Sequence, residues 1–228
     1  MTPPPVLLNL EESMTAYWKR RAEQHTADSY RGVPMSKFPE DLRVYEHLLF
    51  QGAYDTVLEL GCQYGGSALW FRDRLRSFGA YGDPPTPIRV VTLDINPGLA
   101  ETHLNAADRR WRDTITLVAG SVTDANVAKE IHSLVAGRRV FVVEDSAHVF
   151  DTTYAALRLY HDLVPLNGYF VVEDGSVDEE ALRLDFWPRG VQPAIRKFLS
   201  DGHPFRIRKD MEMYGPTSHC NGYLERIG

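Results

Sequence analysis

Two stretches of the chain end almost identically, Val142-Val143-Glu144-Asp145 and Val171-Val172-Glu173-Asp174. In each, β-branched residues run into a pair of carboxylates. Neighbouring buried carboxylates repel one another unless a cation or a proton comes between them. If the two stretches lie side by side, Asp145, Glu173 and Asp174 converge on one spot. A few hard oxygen ligands suit Mg2+, which keeps several waters or takes substrate oxygens in their place. Acids at strand ends also serve as plain caps, but their repetition here favours a metal. His148 follows in Asp145-Ser146-Ala147-His148. An imidazole there can take a proton from a hydroxyl held at the metal, so Asp145 and His148 are the candidate catalytic pair. The other reading of His148 is a loop histidine bonded to backbone. The remaining seven of the 8 histidines stand in no such neighbourhood.

A second group of residues has the character of a cofactor loop. Glu59-Leu60-Gly61-Cys62-Gln63-Tyr64-Gly65-Gly66-Ser67 reads as a strand, a glycine-containing turn and the start of a helix. Glycine permits positive φ and close approach of backbone to a ligand. The loop is not the dinucleotide pattern GxGxxG, because Gln63 holds the place of the second glycine; this weighs against a nicotinamide oxidoreductase. Asp94, ending the next apolar run, can accept both hydroxyls of a ribose or cap the helix that Pro97 begins. Ser121, in Gly120-Ser121-Val122-Thr123, can touch an adenine ring or, like Thr123, serve as an N-cap.

Short apolar runs that suit buried parallel strands lie at residues 56–60, 88–93, 115–119, 140–143 and 169–172. Weaker candidates follow at 205–209 and 223–227. Helix-length segments at 67–78, 97–111, 123–135 and 151–163 separate the strong runs, the last with Asp151 as its expected N-cap. This alternation predicts an α/β fold, with helices on both faces of the sheet and ligands beyond the C-terminal strand ends. The candidate residues all fall at those ends. Two further helices, 11–24 and 39–50, precede the sheet. The expected division is an N-terminal helical arm over residues 1–51, for capping or oligomerisation, and a Rossmann-like domain over 52–228. Tyr17 and Trp18 on the first helix are expected to pack on a second subunit, making a homo-oligomer. Residues 79–87 read as a loop or insertion. Residues 175–190 read as a mobile polar segment with Trp187 and Pro188 inside.

Length and composition bound the rest. With 228 residues, one sizeable domain and an arm are expected. The 43% hydrophobic and 25% charged fractions are ordinary for a globular protein. Lys and Arg total 25 against 31 Asp and Glu, so no basic excess is available to displace counterions from a nucleic acid. Arg109, Arg110 and Arg112 read as a solvated helix end. Two cysteines, Cys62 and Cys220, do not make a disulfide framework. Residues 1–10 lack the pattern of a signal peptide, and no run approaches the roughly 18 apolar residues of a membrane span. A cytoplasmic protein without nucleic-acid or membrane partners is expected.

With these residues in view, the chain resembles the cephalosporin hydroxylase family, a group of S-adenosylmethionine-dependent methyltransferase-like proteins that includes rhamnosyl O-methyltransferases. The likeness runs over residues 32–227. It is carried by Gly32-Val33-Pro34, Lys37-Phe38-Pro39, Asp41-Leu42, Tyr45, Glu59-Leu60-Gly61, Gly65-Gly66-Ser67-Ala68, Asp94-Ile95 and Gly120-Ser121. Further on come Asp145-Ser146-Ala147-His148, Leu157, Tyr160, Leu163, Val164, Gly168-Tyr169, Val172-Glu173-Asp174 and Gly222-Tyr223-Leu224. The resemblance implies a Rossmann-like class I methyltransferase fold with a mostly parallel seven-stranded sheet. It implies S-adenosylmethionine contacts at Glu59, Gly61, Tyr64, Ser67, Asp94 and Ser121, and Mg2+ held by Asp145, Glu173 and Asp174. The chain departs from the pattern in three places. Cys62-Gln63-Tyr64 is bulkier than the usual small-residue loop, Glu144 stands where an apolar residue is more usual, and Ala147 where another acid often follows the serine. The expected activity is Mg2+-dependent O-methylation of a hydroxylated small molecule, a sugar or natural product, with His148 as base. Its rivals are a metal-independent methyltransferase, whose acids only position the substrate, and a non-catalytic cofactor-binding partner of a biosynthetic oxygenase.

Overall fold

The structure, a computed structural model, describes residues 9–80 and 87–228; most of the insertion after Gly79 and the first eight residues lie outside them. The chain opens with helix α1 (Met14–His25), capped by the Ser13 hydroxyl accepting from the Ala16 N–H. A hairpin of β1 (Ser29–Tyr30) and β2 (Val33–Pro34) leads to α2 (Pro39–Gln51), with proline at its first position. The five strong apolar runs all become strands: β3 (Thr56–Leu60), β4 (Arg89–Asp94), β5 (Ile115–Ala119), β6 (Val140–Glu144) and β7 (Tyr169–Val172). Between them lie α3 (Gly66–Gly79), α4 (Gly98–Ala107), α5 (Ala125–Leu134) and α6 (Phe150–Tyr160). Helix α7 (Val191–Ser200), β8 (Phe205–Ile207) and β9 (Tyr223–Arg226) complete the fold.

The seven-stranded sheet runs in the order β5-β4-β3-β6-β7-β9-β8, its first five strands parallel and β9 antiparallel to both neighbours. Side chains alternate between two apolar layers, as the strand period of two requires. Val57, Val90, Val143 and Val171 pack against α2 and α3 through Tyr45, Leu48, Leu69 and Phe71. Leu58, Val91, Val142 and Val172 pack against α5, α6 and α7 through Ile131, Leu157, Ile195 and Phe198. A third, smaller cluster joins Trp18, Ala22 and Phe38 to Leu184, with Leu182 and Trp187 against it.

That cluster changes the reading of the arm. Trp18 is 2% exposed and stacks on Phe38 at 4.5 Å, so it packs within the chain rather than on a second subunit. Residues 175–190, expected to be mobile, are pinned. The Asp178 carboxylate accepts the N–H groups of Gly190 (2.9 Å) and Gln192 (2.8 Å), and Arg183 donates to the Trp187 carbonyl at 2.8 Å. Two cap readings also change. Val149 stands at the N-cap of α6, which puts Asp151 in the first turn, where its charge suits the helix dipole. Asp124, rather than Ser121 or Thr123, caps α5 by accepting from the Asn126 N–H at 2.8 Å. Among the described residues, no helix is long and apolar enough to cross a membrane.

Candidate active site

The two Glu-Asp pairs do meet, but one step out of register. Glu144 lies opposite Val172, and the Glu173 N–H donates to the Glu144 carbonyl at 2.9 Å, so Asp145 stands beside Glu173. A one-residue offset sends look-alike side chains to opposite faces of a sheet. Glu144 faces α6, accepting from Ser146 N–H (3.2 Å), the Ser146 hydroxyl and the Thr153 hydroxyl (3.4 Å). Burial pushes its carboxyl up to about 7. Asp145 and Glu173 face the arm.

Lys37, in the link between β2 and α2, reaches both of them. Its Nζ donates to the two Glu173 oxygens at 2.6 and 2.7 Å and to Asp145. Lys37 is 3% exposed and Glu173 2%. Tyr45 donates its hydroxyl to the same Glu173 at 2.7 Å. Burial alone would pull the lysine down, but the charges of Asp145 and Glu173 outweigh it and hold the ammonium well above its ordinary value. Burial and the charge of Glu173 raise the Asp145 carboxyl.

Asp145, His148 and Asp174 form the group able to hold a metal, each offering one ligand atom within 4.8 Å of the others. His148 Nε2 lies 3.3 Å from Asp174 and 3.9 Å from Asp145. His148 (φ 55°) and Asp174 (φ 57°) both adopt the left-handed region, strain of the kind that accumulates at functional sites. Burial lowers the His148 pKa, but Asp174 and Asp145 more than offset it, so the imidazole titrates above its usual value. Its Nδ1 is buried without a hydrogen-bond partner among the described residues. The two carboxylates offer hard oxygen donors that fit a divalent cation, with the imidazole Nε2 beside them. The predicted trio is thus divided: Asp145 and Asp174 converge, whereas Glu173 lies beside them with its oxygens engaged by Lys37 and Tyr45.

The cofactor residues gather at the other end of the same cavity, about 510 Å3 in volume, which Gly61, Tyr64, Ser67, Asp94 and Ser121 all line. Gly61 has φ 102°, and a Cβ there would lie 2.1 Å from the Asp145 carbonyl oxygen, so only glycine fits. Asp94 clasps the loop, accepting from Cys62 N–H (3.2 Å) and Gln63 N–H (3.0 Å), and from Asn96 N–H (2.8 Å). It does not cap α4, where Pro97 holds the cap position. Glu59 does not line the cavity. It is wholly buried, accepts from the Thr92 hydroxyl at 2.9 Å and has no hydrogen-bond partner for its other oxygen among the described residues; burial pushes it up to about 7. Ile95, 82% exposed in the cavity wall, is an apolar surface that a flat aromatic ring would cover.

A family model for rhamnosyl O-methyltransferase/CmcI matches residues 23–227. The chain belongs to that family. A rhamnosyl O-methyltransferase of Mycobacterium tuberculosis (strain ATCC 25618 / H37Rv) is 30% identical over 206 residues, spanning 88% of this chain and 79% of the relative. An apo structure of CmcI superposes with a TM-score of 0.67 at 20% identity, covering 99% of this chain and 89% of that one. A CmcI structure with Mg and SAM gives 0.66 at 20% identity, covering 89% and 78%. These structural likenesses establish the class I methyltransferase fold, and membership of the family makes the chain an S-adenosylmethionine-dependent O-methyltransferase.

For this methyltransferase the sequence reading missed several residues of the pocket, Lys37 and His25 among them. His25, at the end of α1, lines the cavity opposite the acids, together with Thr26, Trp187 and Pro188. It was counted among the histidines without a chemical neighbourhood. The available signal was the spacing of Trp18, Ala22 and His25, which places all three on one helix face.

Proposed function

We propose that the chain methylates a hydroxyl of a sugar or sugar-bearing small natural product, with a divalent cation, Mg2+ by its oxygen donors, at Asp145 and Asp174. The convergence of Asp145, His148 and Asp174 at the acceptor end of a methyltransferase cavity carries this reading. The relatives named rhamnosyl O-methyltransferases support a sugar acceptor. A cation there supplies Lewis acidity that makes a hydroxyl easier to deprotonate. His148 Nε2 accepts the hydroxyl proton, and Asp174 stabilises the imidazolium that results. The acceptor oxygen then bonds to the methyl carbon as the carbon–sulfur bond breaks. The loop at Gly61 and the clasp of Asp94 hold the sulfonium partner in line for that displacement. Glu173 becomes available as a third ligand only if Lys37 releases it.

The test is transfer of labelled methyl from S-adenosylmethionine to methyl α-L-rhamnopyranoside, with and without EDTA. Asp145→Asn and Asp174→Asn should each lower the rate at least a hundredfold. Undiminished Mg2+-dependent transfer by both variants would sink the metal assignment. One observation favours a second reading: the Lys37 ammonium already lies between Asp145 and Glu173, so these two acids need no metal to coexist. EDTA-insensitive transfer by the wild type would favour that metal-independent enzyme.

A further inference from the structure

The cavity has two walls at its acceptor end. One carries Asp145, His148 and Asp174, where the reacting hydroxyl belongs. The other is built by the arm and by residues 175–190, and no function is attached to it. A sugar carries several hydroxyls of similar chemistry, so an enzyme that methylates one must hold the others by contacts away from the reacting atom.

His25 is a polar side chain on that second wall, and its orientation is fixed by its surroundings. Its ring stacks on Phe38 at 4.3 Å with planes 21° apart, and Phe38 in turn stacks on Trp18. Its Nδ1 pairs with the Ala22 carbonyl. A carbonyl can only accept, so Nδ1 carries the hydrogen and, in the neutral ring, Nε2 is left as an acceptor. Burial lowers the His25 pKa, which favours the neutral ring. Nε2 takes no hydrogen bond from the described residues. His25, Asp145, His148 and Asp174 line one cavity, which places the ring within reach of the same ligand.

We propose that His25 is a positioning residue of the acceptor site, its Nε2 accepting a hydrogen bond from a sugar hydroxyl other than the one methylated. This rests on the sugar reading of the preceding section. The stack on Phe38 and the bond to Ala22 hold the acceptor atom in place before the sugar arrives, which limits the entropy lost on binding. Trp187 and Pro188, lining the same end, offer apolar surface to the C–H face of the ring.

The substitution that separates this role from a structural one is His25→Phe, which keeps an aromatic ring on Phe38 and removes Nε2. With methyl α-L-rhamnopyranoside as acceptor, the expected result is a KM for the sugar raised about tenfold, the yield of one lost hydrogen bond. The kcat and the KM for S-adenosylmethionine should stay within twofold of the wild type. One monodeoxy rhamnoside should bind the wild type about tenfold more weakly than the parent sugar, and the variant should not tell the two apart. An unchanged sugar KM, or a fall in kcat alone, overturns the proposal. An independent readout uses the wild type: 15N spectra of its imidazoles should show His25 protonated at Nδ1 and its Nε2 signal moving when the sugar is added to the protein with S-adenosylhomocysteine. A His25 signal that stays still while the sugar binds overturns the proposal without any variant. Failure of the wild type to bind or methylate the rhamnoside defeats the sugar reading itself, and this inference with it.

Discussion

Lys37 sets the charge balance of the site. Its ammonium is the hydrogen-bonding cation shared by the buried carboxylate of Glu173 and the half-buried one of Asp145. Removing one partner of a buried ion pair leaves the other uncompensated and costs roughly 3–5 kcal/mol. Lys37→Met is therefore expected to be destabilised by about that much in EDTA, and to recover part of the loss when Mg2+ is added. Urea denaturation with and without the ion reads both effects, and equal stability of variant and wild type in EDTA would show that the lysine is not the counter-charge. Glu59 gives the opposite case, a buried acid held up to about 7 against an ordinary value of 4.5. A raised carboxyl binds more protons folded than unfolded, so it lowers stability as pH climbs from about 4.5 to 7. Glu59→Gln should be more stable than wild type by roughly 3 kcal/mol at pH 8 and nearly equal to it at pH 4. A difference independent of pH would contradict that account. The roles of single residues were the part least legible in the sequence. Glu144-Asp145 and Glu173-Asp174 read alike, yet pairing of Glu144 with Val172 sends Glu144 to the α6 face and Glu173 to the arm. Register belongs to the pair of strands, and no single run encodes it.

At the level of elements, the sheet was legible because its inner parallel strands, β3, β4, β6 and β7, are buried on both faces and so read as continuous apolar runs. The Gly61 loop was legible because its turn demands glycine. The arm was legible as helix but not as packing. Trp18 and Ala22 mark a buried face of α1, and nothing in that stripe names the partner, which lies more than 150 residues away at Leu184. Residues 175–190 are a second case, since Asp178 and Arg183 read as polar loop until their bonds to backbone elsewhere in the segment and at the start of α7 are seen. The cap cluster makes a direct prediction. Trp18→Ala removes the largest side chain of that cluster, and a buried aromatic cut to alanine costs about 3–5 kcal/mol where the site cannot collapse. Here the loss should fall on the cap rather than on the whole fold. Limited proteolysis should cut the variant near residues 10–28 and 179–188 sooner than the wild type, while S-adenosylhomocysteine affinity stays within a few fold. Unchanged cleavage at both segments would mean that α1 and the 175–190 segment are not held by Trp18.

Taken as a whole, the molecule divides into a large cooperative body and a small cap. The two main clusters share the strands β3, β4, β6 and β7, so neither can open without exposing the other. The third shares no strand with them; it joins α1 and Phe38 to residues 182–187 beside the cavity, and Trp187 packs against both it and the α5–α7 layer. Local opening free energies follow such boundaries, because a unit with few buried apolar contacts opens without the rest. The amides of α1 and of residues 179–187 should therefore exchange as one unit, several kcal/mol below the global limit reached by β3 and β6. That order has a functional consequence. On the proposed reading, an acceptor is expected to enter when the cap opens and closure to bring His25 and Trp187 back over it, while the cofactor loop at Gly61, rooted in the sheet, stays formed. Native-state hydrogen exchange in increasing denaturant would separate the two classes of amide. Binding of S-adenosylhomocysteine should slow the sheet amides beside Gly61 and Asp94 without slowing α1 equally, because its residues lie at the sheet end of the cavity. If α1 exchanges only with β3 and β6, the cap is part of the main cooperative unit, and acceptor entry must use another route.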